Sequence, residues 1–364
     1  MAVQRIELAA FLHLTTTHPV FDVRSPGEYN HAHIPGAYSL PLFTDEQRKV
    51  VGTTYKQQSR EHAIKIGLDY FGPNMKTVVE TAETLIATFY NGGIKPKTVL
   101  HEHIAGKTIL VHCWRGGMRS AAIAWLLDLY GFKVYTLVGG YKVYRQWVLA
   151  QFAKSYPVKV LGGYTGSGKT LVLQALQENT IPVIDLEKMA CHKGSAFGAL
   201  GENTQPSQEM FENTLATTLD HLLQENVSEF FIEDESQRIG TINIPAAFWK
   251  QMREAPLYFL DIPFEARLNY LTQSYGVFAQ ADLINAIVRI QKRLGPLETK
   301  TAIGYLLEHN HQACFHILLT YYDKGYEKGL HQRNNLAQQL HKIPFETINI
   351  SQITQYLIHE KALH

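Results

Sequence analysis

One eight-residue string limits what this chain can become more than any other: GYTGSGKT, Gly163 to Thr170, which fits G-x-x-x-x-G-K-[ST]. It follows the β-branched run VKVLGG (158–163) and precedes KTLVLQALQEN, whose apolar residues recur at helical spacing. A glycine loop between a buried strand and a helix implies a parallel sheet with crossover helices, and it aims the first N–H groups of the helix at an anion. In this reading Gly163, Gly166, Ser167 and Gly168 cradle phosphates, Lys169 neutralises them, and Thr170 offers an oxygen to a cation such as Mg²⁺. A carboxylate at a strand end would hold the same cation through water. Asp234, with Glu233 beside it in FFIEDES (230–236), and Asp185 after IPVI are the candidates. The motif specifies a phosphorylated ligand. It specifies neither ATP nor hydrolysis.

The rest of the chain reads as α/β, in two domains, 1–152 and 153–364. The border falls near AKSYPVKV (153–160), where an amphipathic stretch ends and Pro157 precedes a new strand. Before it, PVFDVR (19–24), TILVHC (108–113) and KVYTLV (133–138) read as strands, and 77–90 and 118–131 as helices. In the second of these, Ala121, Trp125, Leu126 and Leu129 mark the expected apolar face. After the border, IPVIDL (181–186), EFFIED (229–234) and PLYFLDI (256–262) read as further strands, and from 263 onward the pattern is mostly helical. The 34 Lys+Arg nearly balance 33 Asp+Glu, which excludes a globally basic nucleic-acid coat but hides a net of +5 in residues 1–150 and −4 in 151–364. Three cysteines cannot build a disulfide scaffold, and no leader or membrane-spanning run is read, so the expected location is the cytoplasm.

Cys113 ends a buried strand and is followed by Trp114-Arg115-Gly116-Gly117-Met118-Arg119 and a helix. Backbone N–H groups of such a loop and the positive end of the helix dipole favour thiolate, the reactive form. Arg119 is placed to return to the loop as a bidentate clamp on an oxyanion. His112 points to the opposite side of its strand from Cys113, which suits a structural histidine.

Upstream, FDVRSPGEYNHAHIPGAYSLPL (21–42), taken with the Cys113 loop, resembles the rhodanese domain. Rhodaneses carry sulfur or selenium on cysteine. The resemblance implies that Asp22, Arg24 and Glu28 hold the scaffold around the loop. Beside this pair of domain signatures stand TDEQRKVVGTTYKQQSREHAIKIGL (44–68), DLEKMACHKGSAFGALG (185–201), QPSQEMFEN (205–213), ESQRIG (235–240) and IQKRLG (290–295). Together they resemble the bacterial tRNA 2-selenouridine synthases, over nearly the whole chain, with Lys193 and Gln237 standing where arginine is more usual. The resemblance implies an N-terminal rhodanese-like domain, then a phosphate-loop domain with a helical C-terminal part. It also implies chemistry on a 2-thiolated wobble uridine in a tRNA anticodon loop. Geranyl diphosphate would alkylate the sulfur, and selenophosphate would then replace it with selenium. No tightly bound cofactor is expected, and an enzyme supplying selenophosphate would be a partner.

Anticodon bases can be splayed into a protein pocket, as duplex bases cannot. Arg289, Lys292 and Arg293, at i, i+3 and i+4, are the expected phosphate contacts. The segments AFGAL and FEN within 196–213 are candidates for a prenyl pocket. The competing reading is a C-x(5)-R phosphatase or sulfurtransferase fused to a kinase-like phosphate-loop domain, because the cysteine loop alone suits either chemistry.

Overall fold

The computed structural model describes residues 3–94, 104 and 106–362. The chain divides into two compact units, Met1–Ala150 and Gln151–His364. The division falls two residues before the border read from sequence. Its reason is local: the Tyr156 hydroxyl donates to the Gln151 carbonyl (2.9 Å), and Gln251 Nε2 donates to the Lys154 carbonyl (2.7 Å). The connector is thereby tied to the second unit.

The first unit holds a parallel sheet of β1 (Gln4–Ile6), β2 (Val20–Asp22), β3 (Tyr38–Ser39), β4 (Thr108–His112) and β5 (Lys133–Leu137), in the order β1-β5-β4-β2-β3. β4 lies centrally, and Ile109, Leu110 and Val111 have no exposed surface, as a strand covered on both faces requires. β1 and β3 are edges of three and two residues, too short for any periodicity to show. The segment 44–68 forms two helices, Asp45–Gln57 and Arg60–Phe71, with Thr44 and Ser59 accepting from the amides of Gln47 and His62 as N-caps.

Helix Met118–Leu129 corrects the sequence reading. It buries Ile123, Ala124, Leu126 and Leu127 and turns Ala121, Trp125 and Leu129 outward. Trp125 is 53% exposed and Leu129 70%. The helix is apolar on nearly every side, so spacing alone could not choose its inner face.

The second unit repeats the plan with β6 (Val158–Gly163), β7 (Val183–Ile184), β8 (Phe230–Glu233), β11 (Leu257–Asp261) and β12 (Leu340–Pro344), all parallel, in the order β12-β11-β6-β8-β7. A two-stranded ribbon of β9 (Arg238–Ile239) and β10 (Ile242–Asn243) turns on Gly240 at φ +61°. β12 interrupts the tail expected to be helical. Only Ile343 of its five residues is buried, so its sequence carries no strand signature. The helices Phe264–Tyr275, Gln280–Leu294, Pro296–Leu307 and His311–His331 share a core built on Leu268, Leu283, Ile287, Leu306, Phe315 and Leu318. The last helix, Ile350–Ala362, returns to pack Ile353 and Leu357 with Val172, Leu173 and Leu176 of the helix that follows the phosphate loop. Among the described residues no helix is long and apolar enough to cross a membrane.

Candidate functional site

Cys113 stands where β4 ends. It is 3% exposed, and its Sγ lies 3.3 Å from Ser120 Oγ. Ser120 gives its own hydroxyl proton to the Gly117 carbonyl (3.0 Å), so the thiol is the donor in the Cys113–Ser120 pair. The loop is held from below: the amides of Tyr141 and Lys142 donate to the carbonyls of Cys113 (2.9 Å) and Trp114 (3.0 Å). That approach requires glycine at two places. A Cβ on Gly116, whose φ is +63°, would stand 2.5 Å from the Leu137 carbonyl oxygen, and one on Gly140 would collide with the Cys113 carbonyl. Trp114, Arg115, Gly117 and Met118 are exposed around the loop.

Arg119 does not turn back over the loop as its spacing suggested. Its Nη1 donates to Glu28 Oε2 at 2.7 Å, and Arg48 approaches the same oxygen at 3.5 Å. Burial alone would raise the Glu28 carboxyl, but the Arg119 bond and charge outweigh it and hold the group below its ordinary range. Deeper still, Arg24 is 1% exposed, grips both oxygens of Asp22, donates to the Ala32 carbonyl (2.6 Å) and lies 3.8 Å over the Tyr141 ring. His112 is fully buried between Phe11 and Tyr141 with its Nε2 3.8 Å from Asp22 Oδ2, and burial lowers its pKa. Asp22, Arg24, Glu28 and His112 thus brace the unit beneath the loop.

The phosphate loop joins β6 to helix Lys169–Glu178, with Gly163, Gly166 and Gly168 at φ +149°, +79° and +82°. A Cβ on Gly166 would stand 2.8 Å from Leu271 Cγ, and one on Gly168 2.8 Å from Ile348 Cγ2. Lys169 Nζ donates to the Gly163 carbonyl at 2.7 Å. Ser167 Oγ is buried with no hydrogen-bond partner among the described residues.

The acids around this loop differ from expectation. Asp234 pairs with Arg333, accepts from the Tyr326 hydroxyl at 2.6 Å, and has Arg253 at 4.0 Å. Tyr326 in turn accepts from the Gly163 amide at 3.2 Å. Asp234 therefore anchors the start of the loop and does not face Thr170. Asp185 caps helix Leu186–Ala190 by accepting from the Lys188 amide at 2.8 Å. The carboxylate that meets Thr170 is one the sequence reading passed over, Glu187, whose Oε2 accepts from Thr170 Oγ1 at 3.0 Å. Only the position of Glu187 three residues past the end of β7 hinted at it. Behind it Glu233 accepts from the Glu187 amide (2.7 Å) and keeps a buried Oε2 without a partner.

Burial first, then neighbouring acids, pushes the carboxyls of Glu233 and Glu235 well up; burial also raises Glu187 against the opposing charge of Lys169, and burial lowers Lys169 itself. Thr170 and Glu187 are adjacent oxygen donors of the kind Mg²⁺ takes. No group of three or more acidic, histidine or cysteine ligands forms a metal cage among the described residues, so a cation there would share its shell with water and ligand phosphates.

The loop opens into a cavity of about 1400 Å³. Its lining includes the cations Lys169, Lys193, Arg253, Arg293 and Arg333, the acids Glu187, Asp234 and Glu235, and the apolar or aromatic side chains of Leu271, Tyr275, Phe278 and Tyr322. Lys193 meets Glu202 at 3.0 Å. Arg289, Lys292 and Arg293 are all exposed on helix Gln280–Leu294, but they are not one face in practice: Arg293 lines this cavity, while Lys292 lines a separate groove with Thr299 and Ile303. Phe197 and Phe211, from the segments expected to line a prenyl pocket, are instead buried core, at 5% and 0% exposure.

Residues 6–146 match the rhodanese-like domain family, and residues 156–343 match the tRNA 2-selenouridine synthase AAA domain family. The chain is 33% identical to the tRNA 2-selenouridine synthase of Nitrosomonas europaea, over 82% of this chain and 73% of that one. It is 33% identical to that of Shewanella sediminis, over 87% and 89%, and 34% identical to that of a Sulfurovum species, over 76% of each. With a rhodanese-like cysteine loop in one unit, a phosphate loop in the other, and both halves matched in order, the chain belongs to the tRNA 2-selenouridine synthase family of enzymes.

Proposed function

We propose that this enzyme acts on the 2-thiolated wobble uridine of tRNA, first geranylating the sulfur and then replacing it with selenium from selenophosphate. The observation that carries the first step is the shared cavity, where a phosphate cradle and an apolar wall meet at the Gly166–Leu271 contact. A ligand with a diphosphate head and a hydrocarbon tail satisfies both walls at once.

In this reading the loop amides and Lys169 hold the diphosphate of geranyl diphosphate. The uridine sulfur attacks the geranyl carbon next to oxygen, and the diphosphate departs with the bonding electrons. Lys169 meets the charge that develops on it. Lys169 must first leave the Gly163 carbonyl, which an arriving diphosphate would outcompete. Thr170 and Glu187 are the residues that would hold Mg²⁺, which would supply further charge neutralisation. Alkylation makes the sulfur a better leaving group for the second step.

The second step belongs to Cys113 and its loop, Trp114 to Arg119. Oxygens of selenophosphate would meet the loop amides. Its selenium would attack C2 of the S-geranylated uridine, and the geranyl thiolate would depart with the C–S bonding electrons. Cys113, once its thiol leaves Ser120 and loses its proton, would take the phosphoryl group as the Se–P bond breaks, and water would then release phosphate from the cysteine. The pairing of Arg119 with Glu28 weighs against the phosphatase alternative, which needs that guanidinium on the bound phosphate. Arg289 and Arg293 would contact RNA phosphates at the cavity rim, and the cytoplasm, where tRNA resides, is the location that follows.

Mass spectrometry of tRNA nucleosides, after incubation with geranyl diphosphate and then selenophosphate, tests the whole sequence. S-geranylated 2-thiouridine should appear after the first addition and 2-selenouridine after the second. Thiouridine left unchanged by both would refute the reading.

A further inference from the structure

The apolar wall of the phosphate-loop cavity is built on one segment in a fixed order. Leu271, 7% exposed, touches the loop itself, since a Cβ on Gly166 would reach its Cγ at 2.8 Å. Tyr275 lies one helical turn further from the loop, about 6 Å along the axis at roughly 1.5 Å per residue. The helix ends there, with Gly276 as its C-cap, and the chain turns so that the Phe278 amide donates to the Tyr275 carbonyl at 3.1 Å. Phe278 is the last residue of this segment to line the cavity, while Val277 between it and Gly276 is 79% exposed.

Phe278 is also fixed in place. Its ring centroid lies 5.9 Å from that of Tyr275 at 42°. Tyr275 is itself packed 5.9 Å from Phe197 and 6.1 Å from Phe315, both core residues. On the other side stands Gly201, at φ +76°, where a Cβ would come within 3.4 Å of the Phe278 ring. The ring is therefore a stop backed by core on one side and backbone on the other.

We propose that Phe278 sets the length of the isoprenoid chain that this enzyme accepts, by closing the far end of the wall that Leu271 and Tyr275 begin. The inference rests on the prenyl diphosphate reading of the cavity. Its physical basis is that overpacking in a walled site excludes an additional unit more strongly than a missing unit is penalised. Phe278 touches the tail end only and leaves the diphosphate to the loop.

The test is calorimetric titration of the full chain with inorganic diphosphate and with dimethylallyl, geranyl and farnesyl diphosphates, for wild type, Phe278→Ala, Phe278→Leu and Phe278→Trp. Wild type should favour geranyl over farnesyl diphosphate. Phe278→Ala should shift the farnesyl-to-geranyl affinity ratio upward by about 10-fold or more, Phe278→Leu less, and Phe278→Trp should move preference toward the dimethylallyl compound. Phe278→Leu keeps the measurement available if the alanine variant unfolds. If wild type binds geranyl diphosphate no better than inorganic diphosphate, the prenyl reading of the cavity fails. If wild type does prefer geranyl diphosphate but the folded variants keep its length ratios, the cavity reading stands and the assignment to Phe278 is overturned.

Discussion

The Cys113 loop and the phosphate loop share a plan, a central parallel strand running into a glycine turn and a helix, yet their charges are organised in opposite ways. Around Cys113 the acids Asp22 and Glu28 each meet an arginine. Asp22 is gripped by Arg24 and Glu28 by Arg119, and both carboxyls are held below their ordinary range although burial alone would raise them. Around Lys169, Glu187, Glu233 and Glu235 crowd one lysine, and burial pushes all three carboxyls up. The difference teaches what each site is prepared for. The first has its charges matched internally, and the loop can present a thiol and amides without competing counter-ions. The second keeps protonatable oxygens beside Thr170, which suits the proposed reading in which a polyanionic ligand and Mg²⁺ would bind there.

The largest expected effect is a dissociation between the two loops. Cys113→Ala should abolish 2-selenouridine formation while S-geranylation persists, both read by nucleoside mass spectrometry. An alanine enzyme that selenates at the wild-type rate would make Cys113 structural. Lys169→Ala should instead reduce geranyl transfer by about 10²- to 10³-fold, the scale of removing one preorganised donor from a developing charge, and 2-selenouridine should fall with it because selenation consumes the geranylated tRNA. Normal geranylation by that variant would remove the phosphate loop from the reaction.

Asp234→Asn comes next. It leaves Arg333 buried without its counter-charge, which costs about 3–5 kcal/mol, and it loosens the Tyr326 link to Gly163. Urea unfolding reads the first effect and diphosphate titration the second. Unchanged stability would mean Asp234 is not the anchor described here.

A pH series sharpens the contrast in sign. The folded Glu28 carboxyl is depressed, so its stabilisation is full above the ordinary carboxylate pKa of about 4.3 and is lost as pH falls through the lower folded value. The folded Glu233 carboxyl is raised, so its contribution is present below the ordinary carboxylate pKa and is lost as pH rises through the higher folded value. Glu28→Gln should therefore lose stability relative to wild type mainly above about pH 4–5, the ordinary carboxylate range. Glu233→Gln should gain relative to wild type as pH rises through the same region and beyond. Melting curves that shift in one direction for both variants would remove the distinction between the loops.

The smallest effect concerns RNA. Arg289→Ala should weaken tRNA binding and reduce the magnitude of the salt slope by about 0.7–0.9 for the lost phosphate contact, leaving geranyl diphosphate titrations near wild type because Arg289 does not line the cavity. An unchanged slope would move the RNA toward the first unit, where the sequence carries its net positive charge.

Much of this was legible in the residues. The strands that carry the two loops are β4 and β6, β-branched and largely apolar runs, and each leads into glycines that only a tight turn explains. The two-domain α/β plan followed from them. β12 was not legible, because an edge strand with one buried residue looks like any exposed segment. The inner face of helix Met118–Leu129 was hidden for the opposite reason, since nearly every side of it is apolar.

The sequence by itself determined where the chemistry-bearing loops lie and what they are made of, because strand, turn and helix signals act over a few neighbouring residues. Only the tertiary structure decided which charges meet. Arg119 finds Glu28 from 91 positions away and Arg333 finds Asp234 from 99, and no local pattern encodes such pairings. Glu187 replaces Asp234 beside Thr170 for the same reason: the choice between two acids at neighbouring strand ends is made by what the distant helix His311–His331 and the residues just beyond it bring against them.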